Sequence, residues 1–227
     1  NTGIFIFTKS KTGTISDNTI TSGKDKGIAI NSVKCKMTIS GNTIKKCKAY
    51  PIYCNPASTS YAITLKKNII TGNSKKIDGI RADSGKLILS SNTISSCSRA
   101  IILSSKVKGT VYPNTFKKNT YNNVKVNSSY VNTLTVKSLS GKSKSAKTAT
   151  LNWKKLSSAS GYVVYRSASK NGSYTKISTI KKNKTITYKD SKLKRKSTYY
   201  YKIVPYTTIG KTTVYGLDSK IVSIKIK

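Results

Sequence analysis

The sequence contains no histidine and no glutamate, and its six acidic residues are all aspartates: Asp17, Asp25, Asp78, Asp83, Asp190 and Asp218. Without histidine there is no Ser-His-Asp or Cys-His nucleophile, no imidazole base and no histidine-ligated metal. Without glutamate, any carboxyl acid must be one of six aspartates scattered over 227 residues. No run of 18 apolar residues occurs, so nothing reads as a membrane-spanning helix. Met37 is the only methionine and the chain starts at Asn1, so the sequence does not read as an intact open reading frame. A signal peptide is expected either to have been removed or to lie outside it. Apolar residues make up only 36%, which is compatible with a core of repeated small layers, and the many Ile, Val and Thr argue against disorder. The length fits one large domain or two small ones.

What the chain has in excess is positive charge: 43 Lys+Arg against 6 Asp, a formal +37. Residues 1–129 hold 21 basic and 4 acidic residues (+17), and residues 130–227 hold 22 and 2 (+20), so no tail carries the excess. Only Arg81, Arg99, Arg166 and Arg195 are arginines. Readers of nucleic acid use clustered Arg forks, and no such motif is present, so no specific nucleic-acid partner is expected. A lysine-rich solvated surface accounts for the charge on its own, yet salt-sensitive attraction to polyanions follows from it. Acidic glycans, cell-wall polymers and nucleic acid are the available classes.

The first half repeats. Apolar-x-x-Asn-x-apolar occurs at Ile15–Ile20, Ile39–Ile44, Leu65–Ile70, Leu89–Ile94 and, more weakly, Val111–Phe116. Its asparagines, Asn18, Asn42, Asn68, Asn92 and Asn114, are 24, 26, 24 and 22 residues apart. A second motif keeps the same beat: Gly3-Ile-Phe-Ile6, Gly27-Ile-Ala-Ile30, Pro51-Ile-Tyr-Cys54, Gly79-Ile-Arg-Ala82 and Ala100-Ile-Ile-Leu103. Each period holds three very short strands joined by turns, with no helical spacing. One rung cannot bury its own apolar face, but stacked rungs share a core. Asn tolerates a left-handed turn, and its amide both donates and accepts, so the asparagine column predicts a hydrogen-bonded ladder in the turns. The pattern resembles the right-handed parallel β-helix of the pectate lyase superfamily over residues 1–125.

Cys35, Cys47, Cys54 and Cys97 all fall in this half. Cys47 and Cys97 are two rungs apart, about 9.6 Å at the usual strand spacing, which is too far for a disulfide. Cys47 with Cys54 around one corner stays open as a pair. Zinc is a poor match, and small buried hydrophobes are the favoured reading of these cysteines.

After Asn119 the beat stops, residues 121–146 turn rich in Ser, Asn, Lys and Thr, and a boundary is placed near Ser129. Short alternating strands follow, with Lys170-Asn-Gly172 as a hairpin turn. Leu151-x-Trp153, Gly161-Tyr162-x-Val164 and Leu193-x5-Tyr199-x-Tyr201-x-Ile203 resemble a fibronectin type III domain. The resemblance implies a core role for Trp153 and a corner role for Tyr199, although Arg195-Lys196 stands where the family has Pro-Gly. Such lysine-rich modules look like those ending secreted proteins of anaerobic Gram-positive bacteria. The expected architecture is therefore all-β: a right-handed parallel β-helix of about five rungs (1–128), then a fibronectin type III sandwich (129–227).

In the superfamily that the solenoid resembles, substrate lies across one exposed sheet. Strand alternation turns Phe5, Ala29, Tyr53, Arg81 and Ile102 outward there, with Phe7, Asn31, Asn55, Asp83 and Ser104 as the next column. Lys26, Tyr50, Asp78 and Arg99 come from the preceding turns. Tyr53, Arg81, Asp83, Asn31 and Asn55 form the candidate ligand patch, offering an aromatic face, amides and a forked cation. Solvated surface residues are the bland alternative. No catalytic residue is assigned. Glycosidases need carboxyls about 5 to 9.5 Å apart, whereas Asp78 and Asp83 are about 16 Å apart if extended, and Asp25 and Asp78 about 10 Å across two rungs. A lyase of the resembled superfamily implies clustered acids on calcium and an Arg base, a role open to Arg81 only at low pKa. Weak calcium at Asp78 and Asp83 is the only cofactor expectation. The functional expectation is a secreted or cell-surface fragment, of Gram-positive type, that binds an anionic polysaccharide or cell-wall polymer without turning it over. A truncated polysaccharide lyase, with catalytic rungs upstream of Asn1, and a structural adhesin are the alternatives.

Overall fold

In the computed structural model, which describes residues 2–7, 12–31, 34–73 and 76–227, every regular element among the described residues is a β-strand. The chain divides into two compact units: residues 1–132 with 208–214, and residues 133–207 with 215–227.

The first unit is a parallel solenoid of five turns. Each turn supplies one strand to each of three sheets. The first sheet is built from Ile4–Ile6, Ile28–Asn31, Ile52–Asn55, Ile80–Ala82 and Arg99–Leu103. The second stacks Thr12–Ser16, Lys36–Ser40, Ala62–Lys66, Gly85–Ser90 and Val107–Val111, and the third runs from Thr19–Thr21 to Thr115–Lys117. Register follows the 24-residue beat: Ile6 pairs with Ile30, Ile30 with Cys54, Cys54 with Ala82, and Ala82 with Leu103. From Ile30 onward this inward column is sealed from solvent, as one shared core requires.

The first sheet continues past the point where the sequence motif ends. Tyr121–Val126 adds a sixth parallel strand, with a register shift between Arg99 and Ile101, and Ser129–Val131 then folds back antiparallel on it. Neither strand carries the Asn or Gly motif, so the sequence beat stops short of them.

The asparagines form the expected ladder. Asn42 donates its backbone N–H (3.1 Å) and its side-chain Nδ2 (3.0 Å) to Asn68 Oδ1, and Asn68 repeats both bonds to Asn92 at 3.0 and 2.8 Å. Nδ2 of Asn42, Asn68 and Asn92 also donates to the carbonyls of Ile15, Ile39 and Leu65 respectively. The left-handed residue, however, is not the asparagine. It is the one before it: Asp17, Gly41, Lys67 and Ser91 have φ of 57, 68, 56 and 56°. The physical reason is a division of labour. The solvent-facing residue turns the corner, so the asparagine can aim its amide along the stack.

The glycines that open rungs are fixed by close approach. A Cβ on Gly27 would lie 2.5 Å from Ile44 Cγ2, and one on Gly79 would lie 2.5 Å from Ile94 Cγ2. All four cysteines are buried and free, so Cys47 and Cys54 form no pair. Gly72 leaves room for the Cys97 sulfur, which a Cβ there would meet at 2.9 Å.

The second unit is a two-sheet sandwich. Ser140–Lys142, Ala149–Asn152 and Thr187–Asp190 form one antiparallel sheet. Thr175–Ile180, Gly161–Ser167, Thr198–Ile209 and Val222–Lys225 are neighbours in the other. Trp153 is in the core, edge-on to Tyr162 at 5.3 Å. The Tyr199 hydroxyl accepts the Lys194 backbone N–H at 3.3 Å, so the tyrosine corner forms without Pro-Gly before it. Asp190 is buried between Arg166, which donates from Nη1 at 3.0 Å, and Tyr201, whose hydroxyl donates at 2.9 Å.

Candidate functional site

The outward column of the first sheet is in the order read from the sequence. Phe5 pairs with Ala29, Ala29 with Tyr53, Tyr53 with Arg81, and Arg81 with Ile102. Ala29 departs from expectation in being buried: its methyl lies in register between Phe5 and Tyr53, two much larger side chains. Phe5 and Phe7 are exposed.

Three of the five candidate residues meet directly. The Tyr53 hydroxyl donates to Asp83 Oδ2 at 2.9 Å, and Arg81 Nε donates to Asp83 Oδ1 at 3.0 Å. Arg81 also donates from Nη1 to the Tyr50 hydroxyl at 3.3 Å, with its guanidinium carbon 5.3 Å from that ring centroid. Tyr50 and Tyr53 stack at 5.9 Å, and the Lys26 ammonium lies 5.6 Å from the Tyr53 ring. The result is an aromatic shelf with a fixed guanidinium over the Tyr50 ring and an ammonium over the Tyr53 ring. Asn31 and Asn55 form their own pair: Asn55 Nδ2 donates to Asn31 Oδ1 at 3.4 Å, and the Ser84 hydroxyl donates to Asn55 Oδ1 at 2.8 Å.

The electrostatics follow from these contacts. Partial burial, together with the bond to Asp83 and its charge, pushes the Tyr53 phenol up to about 12. Burial works against the Arg81 charge, but the Asp83 carboxylate and Tyr50 outweigh it and hold that pKa above the usual guanidinium value. This is the reverse of the low-pKa setting that an arginine base needs. Burial raises the Asp78 carboxyl, opposed by the Arg99 N–H that it accepts at 3.2 Å and by the charges of Arg99, Arg81 and Lys125. Asp25 pairs with Lys26 at 2.7 Å. No group of three Cys, Asp, Glu or His side chains suited to a metal occurs among the described residues, and the Asp78 and Asp83 contacts are to protein cations and donors.

Farther along the same sheet a second cluster was not read from the sequence. Arg99 lies over the Tyr121 ring (4.7 Å) and near the Tyr130 ring (5.7 Å), and the Lys125 ammonium is 5.6 Å from Tyr130. Its only sequence signal was the basic and aromatic content of a stretch beyond the repeat.

A family model described as "Periplasmic copper-binding protein (NosD)" matches residues 1–148. No curated protein matches the chain. Among solved structures, an Fn3-like protein from Clostridium thermocellum is 30% identical, covering 40% of this chain and 88% of that one at a TM-score of 0.34. The sixth fibronectin type III domain of human fibronectin type III domain containing protein 3 is 19% identical, covering 42% and 87% at 0.35. A β-1,2-glucanase from Parabacteroides distasonis is 17% identical, covering 42% of this chain and 12% of that one at 0.34.

Proposed function

The chain belongs to the NosD family, and from that premise we propose an extracytoplasmic, non-catalytic binding protein that takes an anionic polysaccharide across the outer face of its first sheet. The periplasmic description of the family supports the location. The observation that carries the ligand class is the Tyr50–Tyr53 shelf, with Arg81 locked over the Tyr50 ring by Asp83. A half-buried tyrosine pair suits the apolar face of a sugar ring, and a positioned guanidinium suits its carboxylate.

The copper in the family's description does not fit this chain's donors. The sequence has no histidine, and its one methionine, Met37, is buried. The stretches 8–11, 32–33 and 74–75 contain no Cys, Asp, Glu, Met or His. Copper takes thiolate, thioether or imidazole, whereas burial pushes the Cys54 and Cys97 thiols up to about 12. The Cys97 thiol donates to Ser95 O at 3.3 Å, and no three acids and cysteines gather among the described residues.

The carboxylates support binding without turnover. Both Asp83 oxygens are engaged, Asp78 holds the Arg99 N–H, and Asp25 holds Lys26. The test is incubation with polygalacturonate, with and without calcium. Binding without unsaturated product, weakened selectively by Tyr53→Ala or Arg81→Ala, supports the proposal. Accumulating ultraviolet-absorbing product establishes a lyase instead. Binding that modest salt abolishes equally for every polyanion reduces the molecule to a charged adhesin.

A further inference from the structure

We propose that Arg99, Tyr121, Lys125 and Tyr130 form a second acid-recognising subsite, so that the ligand is an extended uronic-acid oligomer lying along the rung axis and not a single sugar. This rests on the reading of the shelf as a site for anionic glycan.

Members of both clusters lie on one column. Tyr53 pairs with Arg81, Arg81 with Ile102, Ile102 with Lys125, and Lys125 with Tyr130 across the antiparallel turn-back. Those four strand steps span about 19 Å, and Arg81 and Lys125 are two steps, about 10 Å, apart. One sugar cannot reach both cations, whereas a linear chain can. The turn-back is essential, because it alone places an aromatic ring beside Lys125.

The cluster is built to receive an acid. Arg99 pairs in register with Tyr121, and both the Tyr121 and Tyr130 rings are exposed. Arg81 shares its charge with Asp83 through Nε at 3.0 Å, whereas among the described residues no ion pair engages Arg99 or Lys125. The acid that faces them is Asp78, which accepts the Arg99 backbone N–H and not its guanidinium. Arg99 Nε is buried with no acceptor, and Asn123 Oδ1, beside the same register shift, is buried with no donor. A partly buried guanidinium held against ring faces and outside any ion pair gains most from a carboxylate, because partial desolvation strengthens that pairing.

The experiment is calorimetric titration with di-, tetra- and hexagalacturonate. The wild-type chain should bind more tightly as the oligomer lengthens. Tyr130→Ala and Arg99→Gln should each weaken hexagalacturonate about tenfold while leaving digalacturonate unchanged. Tyr53→Ala should weaken every length. Tyr130 is exposed, so its removal should leave the thermal melt in place and rule out misfolding as the cause. If both distal variants bind hexagalacturonate like wild type while Tyr53→Ala still fails, the second subsite is wrong and the shelf stands. If no galacturonate binds at all, the shelf reading falls and takes this one with it. Equal binding of an inorganic polyphosphate, with the same loss in Arg99→Gln, overturns the carboxylate assignment.

Discussion

Tyr53 and Asp83 sit on adjacent rungs and are joined hydroxyl to carboxylate at 2.9 Å, so the aromatic shelf and the Arg81 fork are held by the same acid. Asp83→Ala should therefore free both groups at once. The expected result is a loss of glycan affinity comparable to Arg81→Ala, although Asp83 carries the wrong charge for an anionic ligand. Retained or improved affinity in Asp83→Ala would show that the acid merely repels the ligand.

The same bond sets a pH dependence. The Tyr53 phenol is raised to about 12, against about 10 for a free tyrosine. Its contribution to stability is present in full below pH 10 and is lost as pH rises through about 12, because the folded state holds that proton more tightly. Phenolate absorbance of wild type minus Tyr53→Phe should give a difference curve centred near 12. A midpoint at the free-tyrosine value contradicts the geometry.

Asn68 is the centre of the ladder, fully buried, and accepts two bonds from Asn42. Asn68→Ala strands the Asn42 backbone N–H and removes the Asn68 amide from Ile39 O and Asn92 Oδ1, so the solenoid should lose about 3 kcal/mol in urea denaturation. Asn18→Ala, at the exposed end, removes donors only and should cost about 1 kcal/mol.

Native thiol labelling should find all four cysteines unreactive at pH 8, because each is buried and the Cys54 and Cys97 thiols are raised to about 12. In denaturant all four should react. Peptide mass spectrometry of the unreduced protein should show no Cys47–Cys97 link.

In the sandwich, Asp190→Ala leaves the Arg166 charge and the fully buried Tyr201 hydroxyl without their shared acceptor. A loss of about 3 kcal/mol is expected, with Asp190→Asn less severe because its amide oxygen still accepts. The melting transition of the isolated residues 133–227 is the wrong readout, since 208–214 belong to the other unit; denaturation of the whole chain is the right one.

How much was legible depends on what the residues repeat. Ile6, Ile30, Cys54, Ala82 and Leu103 could be aligned from sequence because each rung must bury the same position against the next, and a one-residue slip would turn every side chain outward. Trp153 and Tyr199 were legible for a related reason: alternation in a sandwich strand fixes which side is core. Tyr53, Arg81 and Asp83 could be placed on one face by the same rule, but their mutual bonds could not. Those depend on rotamers and on a diagonal reach between rungs.

The sequence by itself determined the solenoid, its register, the asparagine ladder and the sandwich, since all four arise from periodic burial and periodic hydrogen bonding. Tertiary structure alone decided the rest. It gave the left-handed corner to the residue before Asn18, Asn42, Asn68 and Asn92 and buried Ala29 between larger neighbours. It also folded Ser129–Val131 back so that Tyr130 meets Lys125 and approaches Arg99. Each of these turns on non-repeating contacts, where the energy lies in the fit of particular side chains in space and leaves no period in the chain to read.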